Sequence, residues 1–119
     1  MVTMKSWMYN FFFFDENKIS TSTIIVVGQF MPTLQLLILG HVQGVFYRAT
    51  AKKVAEELGV KGWIKNTKDN NVAATITGTE EQVQQFIKWC KKGPPGARVS
   101  DVIAIVVDDE NFDEFEIVR

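Results

Sequence analysis

The sequence predicts an α+β sandwich, with two helices on one face of an antiparallel sheet. Three observations predict it. Apolar runs and every-second-residue alternation mark strands, and two stretches with apolar residues three and four apart mark helices. Their order is β-α-β-β-α-β with a short strand at the end. A turn-forming Asp69-Asn70-Asn71 between the two middle strands makes them a hairpin, so the helical segments on either side are crossovers. Right-handed crossovers then place the first and third strands in the middle of the sheet.

Each element has a local reason. Leu34 to Leu39 is an apolar run broken only by Gln35, which reads as a buried strand. Gly40 to Phe46 is a loop carrying two glycines. Tyr47, Ala51, Val54, Ala55 and Leu58 follow at the spacing of one helix face, and Gly59 is the C-terminal stop. Val60 to Asn66 is the second strand. Val72, Ala74 and Ile76 alternate with Ala73, Thr75 and Thr77 to give the third. Thr79 and Gln82 have the spacing of a capping box. Val83, Phe86, Ile87 and Cys90 are then the buried face of the second helix, and Lys91 and Lys92 suit the negative end of its dipole. Gly93-Pro94-Pro95-Gly96 ends that helix. Val99 to Val107 is a long fourth strand and Phe112 to Val118 a closing one. This is the split β-α-β order of a ferredoxin-like sandwich.

Composition narrows the function classes. The chain has 119 residues, 46% of them hydrophobic and 23% charged, with a net charge of −1. That is enough chain for one ordinary core. A near-neutral balance argues against a protein whose main work is wrapping nucleic acid. The third strand also lacks the aromatics on which an RNA-recognition sheet stacks bases. A single Cys excludes an internal disulfide and a Cys-based zinc site within the chain.

The composition is uneven. Of fourteen aromatic residues, seven lie in the first 30, including the run Phe11-Phe12-Phe13-Phe14. The remaining 89 residues carry 11 basic and 12 acidic side chains, and therefore the whole −1. Two parts follow: an N-terminal extension over 1–30 and a domain over 31–119. The apolar run from Trp7 to Phe14 is short for a signal peptide and far too short to cross a bilayer. Three readings of 1–30 stay open: a targeting segment, an added element that docks or hangs loose, or a stretch upstream of a natural start at Met31.

The chemistry concentrates in Gly40-His41-Val42-Gln43-Gly44-Val45-Phe46-Tyr47-Arg48, which joins a strand to a helix. The first N–H groups of a helix lack intrahelical partners, and a glycine-bearing loop ahead of them can turn further N–H groups inward. The result is an anion cradle. Arg48 falls in the first helical turn, against the preference of the helix dipole, and its guanidinium can fork onto two anion oxygens. The bland alternative is a tight turn with a solvated Arg48. Gln43 reads as scaffolding through backbone hydrogen bonds, His41 as a surface residue, and Cys90, Trp63 and Trp89 as packing. Asn66, at the end of the second strand, is either a turn former or an amide that orients a water.

The same residues resemble a family. Gly40 to Arg48 is similar to the first signature of acylphosphatases, and Gly62-Trp63-Ile64-Lys65-Asn66-Thr67 to their second. Gly93-Pro94-Pro95-Gly96-Ala97-Arg98-Val99 and Phe115-Glu116-Ile117 resemble two further shared stretches, in order and in register from about Leu34 to Arg119. The resemblance implies the ferredoxin-like fold and hydrolysis of acyl phosphates to a carboxylate and inorganic phosphate, with no metal and no cofactor. It implies that Arg48 binds the phosphate and Asn66 positions the attacking water. Backbone N–H groups of Gln43, Gly44, Val45, Phe46 and Tyr47 would hold the phosphoryl oxygens. The partners expected are a small-molecule acyl phosphate and phosphate, with no nucleic acid and no membrane; a cytoplasmic monomer is expected. A relative that binds the anion without turning it over is the alternative. His41 stands where the family usually has Arg or Lys, the 69–71 turn lacks the usual glycine, and 1–30 has no counterpart in the single-domain members.

Overall fold

Every second residue of the first strand, Leu34, Leu36 and Ile38, is shielded from solvent, as are Val72, Ala74 and Ile76 of the third. That face of the sheet is the core side, and on the other face Thr33, Thr75 and Thr77 are buried as well. In the computed structural model, which describes residues 31–119, the elements are β1 (Thr33–His41), α1 (Tyr47–Leu58), β2 (Lys61–Asn66), β3 (Val72–Thr77), α2 (Glu80–Lys92), β4 (Arg98–Val107) and β5 (Phe115–Ile117). The readings made of residues 1–30 lie outside the described residues.

The sheet runs β4-β1-β3-β2-β5, so β1 and β3 flank each other inside it as the crossover rule requires. β1 pairs antiparallel with β3 and β4, and β2 antiparallel with β3. The closing strand departs from the antiparallel expectation. It is shorter than 112–118 and lies parallel to β2, Gly62 beside Phe115 and Ile64 beside Ile117, so the five-stranded sheet is mixed. Two contacts hold it there. Phe115 is buried against Phe86 of α2, with ring centroids 5.7 Å apart, and its carbonyl accepts a hydrogen bond from Lys52 Nζ of α1 at 2.8 Å.

The helices carry their buried faces as the spacing predicts. Tyr47, Ala51 and Ala55 of α1 and Val83, Phe86, Ile87 and Cys90 of α2 are buried, while Val54, Leu58 and Trp89 pack at the margin. Tyr47 is the link between them. Its hydroxyl donates to the Cys90 carbonyl at 2.8 Å and its ring lies 5.2 Å from that of Trp89. Burial, followed by the nearby Cys90, pushes the Tyr47 phenol well above its ordinary range. Burial likewise pushes the Cys90 thiol up to about 12. Cys90 is thus an inert core residue, the role its helix position suggests.

At the far end of β1 the register slips between Leu39 and Gly40. Gly40 has φ 131°, and a side chain there would run into the carbonyl of Arg98. The bulge therefore needs glycine. It turns the chain out of the sheet and toward the start of α1.

Candidate functional site

The start of α1 is left open by its own sequence. Its N-cap is Phe46, whose side chain caps nothing, and its first turn holds no acidic residue. Phe46 is left-handed (φ 64°, ψ 24°), as is Gly44 (φ 74°). Nothing lies within 4 Å of a Cβ built on Gly44, so that glycine serves the backbone angle and not the space. Two left-handed residues so close together curl the loop, the geometry in which successive N–H groups converge. Among the described residues, no backbone N–H from Gln43 to Tyr47 donates to another group of the chain. The Phe46 carbonyl is pinned instead, accepting from the Thr50 N–H at 3.0 Å and the Thr50 Oγ1 at 2.8 Å.

A second loop fixes this one. Gln43 Nε2 donates to the carbonyls of Thr67 (2.9 Å) and Asn71 (2.7 Å). The Gly40 N–H donates to Asn71 Oδ1 at 3.3 Å, and the Asn71 N–H to Thr67 Oγ1 at 3.1 Å. The turn between β2 and β3 is closed by Thr67 N–H donating to the Asn71 carbonyl at 2.9 Å, and left-handed Asn70 supplies its bend. Asn66 immediately precedes this turn. The side chain of Gln43 therefore scaffolds, and it couples the loop ahead of α1 to the end of β2.

Between them lies a cleft of about 310 Å³. Of the residues singled out from sequence, Gly44, Phe46, Tyr47, Arg48 and Asn66 line it together. Gln43 and Val45 do not line it; Gln43 faces the turn, and Val45 packs on the core. His41 is exposed at the strand end and stays outside the cleft. The Oδ1 atom of Asn66 is buried and has no hydrogen-bond partner in the described chain. A buried amide oxygen without a partner is costly unless something else donates to it. No carboxylate pairs with Arg48 among the described residues. The lining also includes Val42, Ala49, Ile117 and Arg119, which the sequence did not single out. Ile117 and Arg119 reach it because β5 runs alongside β2, a pairing between segments far apart in the chain. Among the described residues no group of three or more His, Cys, Asp or Glu side chains is placed to hold a metal ion.

Chemically, the cleft offers unpaired N–H groups at a helix start, one guanidinium in the first turn and the Asn66 amide. The first two suit a multiply charged anion.

The acylphosphatase family model matches residues 34–117. The chain is 44% identical over 84 residues to an acylphosphatase of Haloquadratum walsbyi, covering 71% of this chain and 90% of that protein. It is 43% identical over 91 residues to an acylphosphatase of Methylococcus capsulatus, covering 75% and 98%. The fold is similar to the structure of an acylphosphatase from Coxiella burnetii, with a TM-score of 0.73 and 31% identity over 76% of this chain and 96% of the other.

Proposed function

The chain belongs to the acylphosphatase family, and from that premise we propose how its cleft carries out the reaction. The protein hydrolyses acyl phosphates to a carboxylate and inorganic phosphate. The phosphoryl oxygens sit in the cradle of backbone N–H groups from Gln43 to Tyr47, with the Arg48 guanidinium forked onto two of them. Water is held by Asn66. The observation that carries this assignment is that Arg48 and Asn66 line one cleft together with Gly44, Phe46 and Tyr47 of the uncapped start of α1.

The chemistry makes modest demands. An acyl phosphate is a mixed anhydride whose leaving group, a carboxylate, departs without a strong acid. Water oxygen bonds to phosphorus as the bond from phosphorus to the acyl oxygen breaks, and the carboxylate keeps the electron pair. The proton of water passes to a phosphoryl oxygen or to solvent. What remains for the protein is positioning and stabilisation of charge on the equatorial oxygens. Donors fixed by the 40–48 and 67–71 loops supply that without rearranging. Asn66 does not titrate in this range, so it acts by orientation and not as a base. No metal and no cofactor enter the scheme, and added chelator leaves the rate unchanged.

We further propose that residues 31–119 carry the activity as a cytoplasmic monomer. The lone Cys90 is buried and needs no oxidising compartment. Among the described residues no helix is long and apolar enough to cross a membrane. Sedimentation at assay concentration checks the monomer.

The test of the assignment is benzoyl phosphate hydrolysis by the full chain beside Arg48→Ala and Asn66→Ala. Both variants lose rate. Wild-type turnover in either removes that residue from the mechanism, and phosphate binding with no hydrolysis by the unmutated chain selects the non-catalytic reading.

A further inference from the structure

Resting on the reading above, we infer that Lys52 is a positioning residue for the reaction: its ammonium ties the helix that carries Arg48 to the strand that brings Ile117 and Arg119 to the cleft, and so sets the gap between those two walls. Lys52 itself does not line the cleft. It acts through β5.

Lys52 stands four residues after Arg48, on the same side of α1. Its Nζ donates to the Phe115 carbonyl at 2.8 Å and to Glu56 Oε2 at 2.7 Å. Among the described residues no other side-chain hydrogen bond joins α1 to β5. An exposed ion pair within one helix contributes little by itself. The bond to Phe115 is different in kind, because it reaches across 63 residues of chain and connects two walls of one cleft. Its hydrogen bond to Glu56, with Glu114 and Glu116 nearby, holds the Lys52 ammonium above its ordinary range, so the donor stays charged.

The strand has little else to hold it. β5 is three residues long and forms the edge of the sheet, with β2 as its one neighbour. An edge strand leaves a row of backbone groups without ladder partners. Phe115 is buried, whereas Glu116, Ile117, Val118 and Arg119 are all exposed. Packing therefore anchors the strand at Phe115, and Lys52 pins it at that same residue. Phe115 and Ile117 are alternate residues and share one side of the strand, so a shift at the first moves the second at the cleft. The phosphoryl group is held at the start of α1, and that contact survives loss of the pin. The wall supplied by β5 meets the rest of the substrate. A contact made equally in the ground and transition states shows in KM and not in kcat.

The experiment measures benzoyl phosphate hydrolysis by the full chain beside Lys52→Met, Lys52→Arg and Glu56→Gln. Lys52→Met keeps the apolar stem and removes the donor. It raises KM about three- to fivefold, with kcat and inhibition by phosphate nearly unchanged. Lys52→Arg, which still donates to the Phe115 carbonyl, restores most of the affinity. Glu56→Gln spares that bond and leaves KM in place. The Val118 N–H, which donates to the Ile64 carbonyl at 2.8 Å, exchanges faster with solvent in Lys52→Met and recovers in Lys52→Arg. KM does not depend on how much of a variant is folded, so lost protein cannot imitate the effect. An unchanged KM in Lys52→Met overturns the inference, even if the melting temperature falls, because the lysine is then structural only. An equal rise in Glu56→Gln also overturns it, by assigning the effect to the ion pair on the helix surface. Failure of the unmutated chain to hydrolyse any acyl phosphate strikes the functional reading instead, while exchange at Val118 still tests the tie.

Discussion

The two helices of this chain begin in opposite ways. α2 begins with Thr79, whose Oγ1 accepts from the Gln82 N–H at 3.2 Å while Gln82 Oε1 accepts from the Thr79 N–H at 2.8 Å. Glu80 and Glu81 complete the first turn with charges that suit the dipole. α1 begins with a left-handed Phe46 that caps nothing, no acidic residue, and Arg48 in the first turn. Both helices pack on the same sheet and bury similar faces, so packing does not require the difference. The start of α2 is satisfied by its own sequence, whereas the start of α1 has no side-chain cap and no acidic residue of its own. A polyanion fits what is missing there: acceptors for the N–H groups and negative charge for Arg48.

This contrast can be broken at several points. The largest effect is expected from Arg48→Ala, which removes the charged donor from the open helix start. Loss of one preorganised donor costs about 10²–10³ in rate, and here phosphate affinity falls with it; steady-state kinetics with phosphate as competing product checks both. Asn66→Ala comes next, with a rate loss of about 10² and phosphate inhibition nearly unchanged, since the proposed role gives the amide the water and not the anion.

The satisfied helix predicts effects on stability alone. Cys90 on α2 has a folded-state pKa raised by burial to about 12 from an ordinary value of 9.0. The protonated thiol is favoured in the folded state, so its contribution is complete below pH 9 and is lost as pH rises toward about 12. Tyr47, also raised, adds to the loss in the same direction. Urea melts at stepped alkaline pH should show a decline that Cys90→Ala makes shallower. Thr79→Ala removes one half of the capping box and costs about 1 kcal/mol of stability, with kcat/KM unchanged. The smallest expected shift in stability is also the most telling. Arg48→Glu abolishes activity yet raises stability by about 0.5–1 kcal/mol at low salt, because a negative charge suits the start of a helix. The dipole alone gives that gain at any helix start, so the telling result is its coincidence with loss of activity.

Much of this was legible in the sequence, and the exceptions have physical causes. The capping box of α2, the Gly59 stop and the buried faces of both helices depend on neighbours within a few residues, and local spacing encodes them. The loop glycines and Arg48 were legible for the same reason, as departures from ordinary helix-start chemistry. What was not legible depends on distant pairing or on conformations that the residue type disfavours. The parallel seat of β5 beside β2, and with it Ile117 and Arg119 at the cleft, follows from Phe115 packing on Phe86 and Lys52 holding the Phe115 carbonyl. Nothing in the text of β5 names those partners. The left-handed Phe46 runs against propensity. Asn71 reads as a turn residue, yet it also accepts from Gly40 and thereby joins the two loops of the site. Asn66 reads as either a turn former or a water-holding amide; local spacing does not show that it lines the same cleft as Arg48.

We propose the open start of α1 as the phosphate site. The most direct measurement follows the backbone amide resonances of the full chain as inorganic phosphate is added. Amides of Gln43 to Arg48 are expected to shift and saturate together, those of Thr79 to Gln82 to stay in place, and Arg48→Ala to remove the response. Saturable shifts centred anywhere else, or a response at Gln43 to Arg48 that survives Arg48→Ala unchanged, would contradict it.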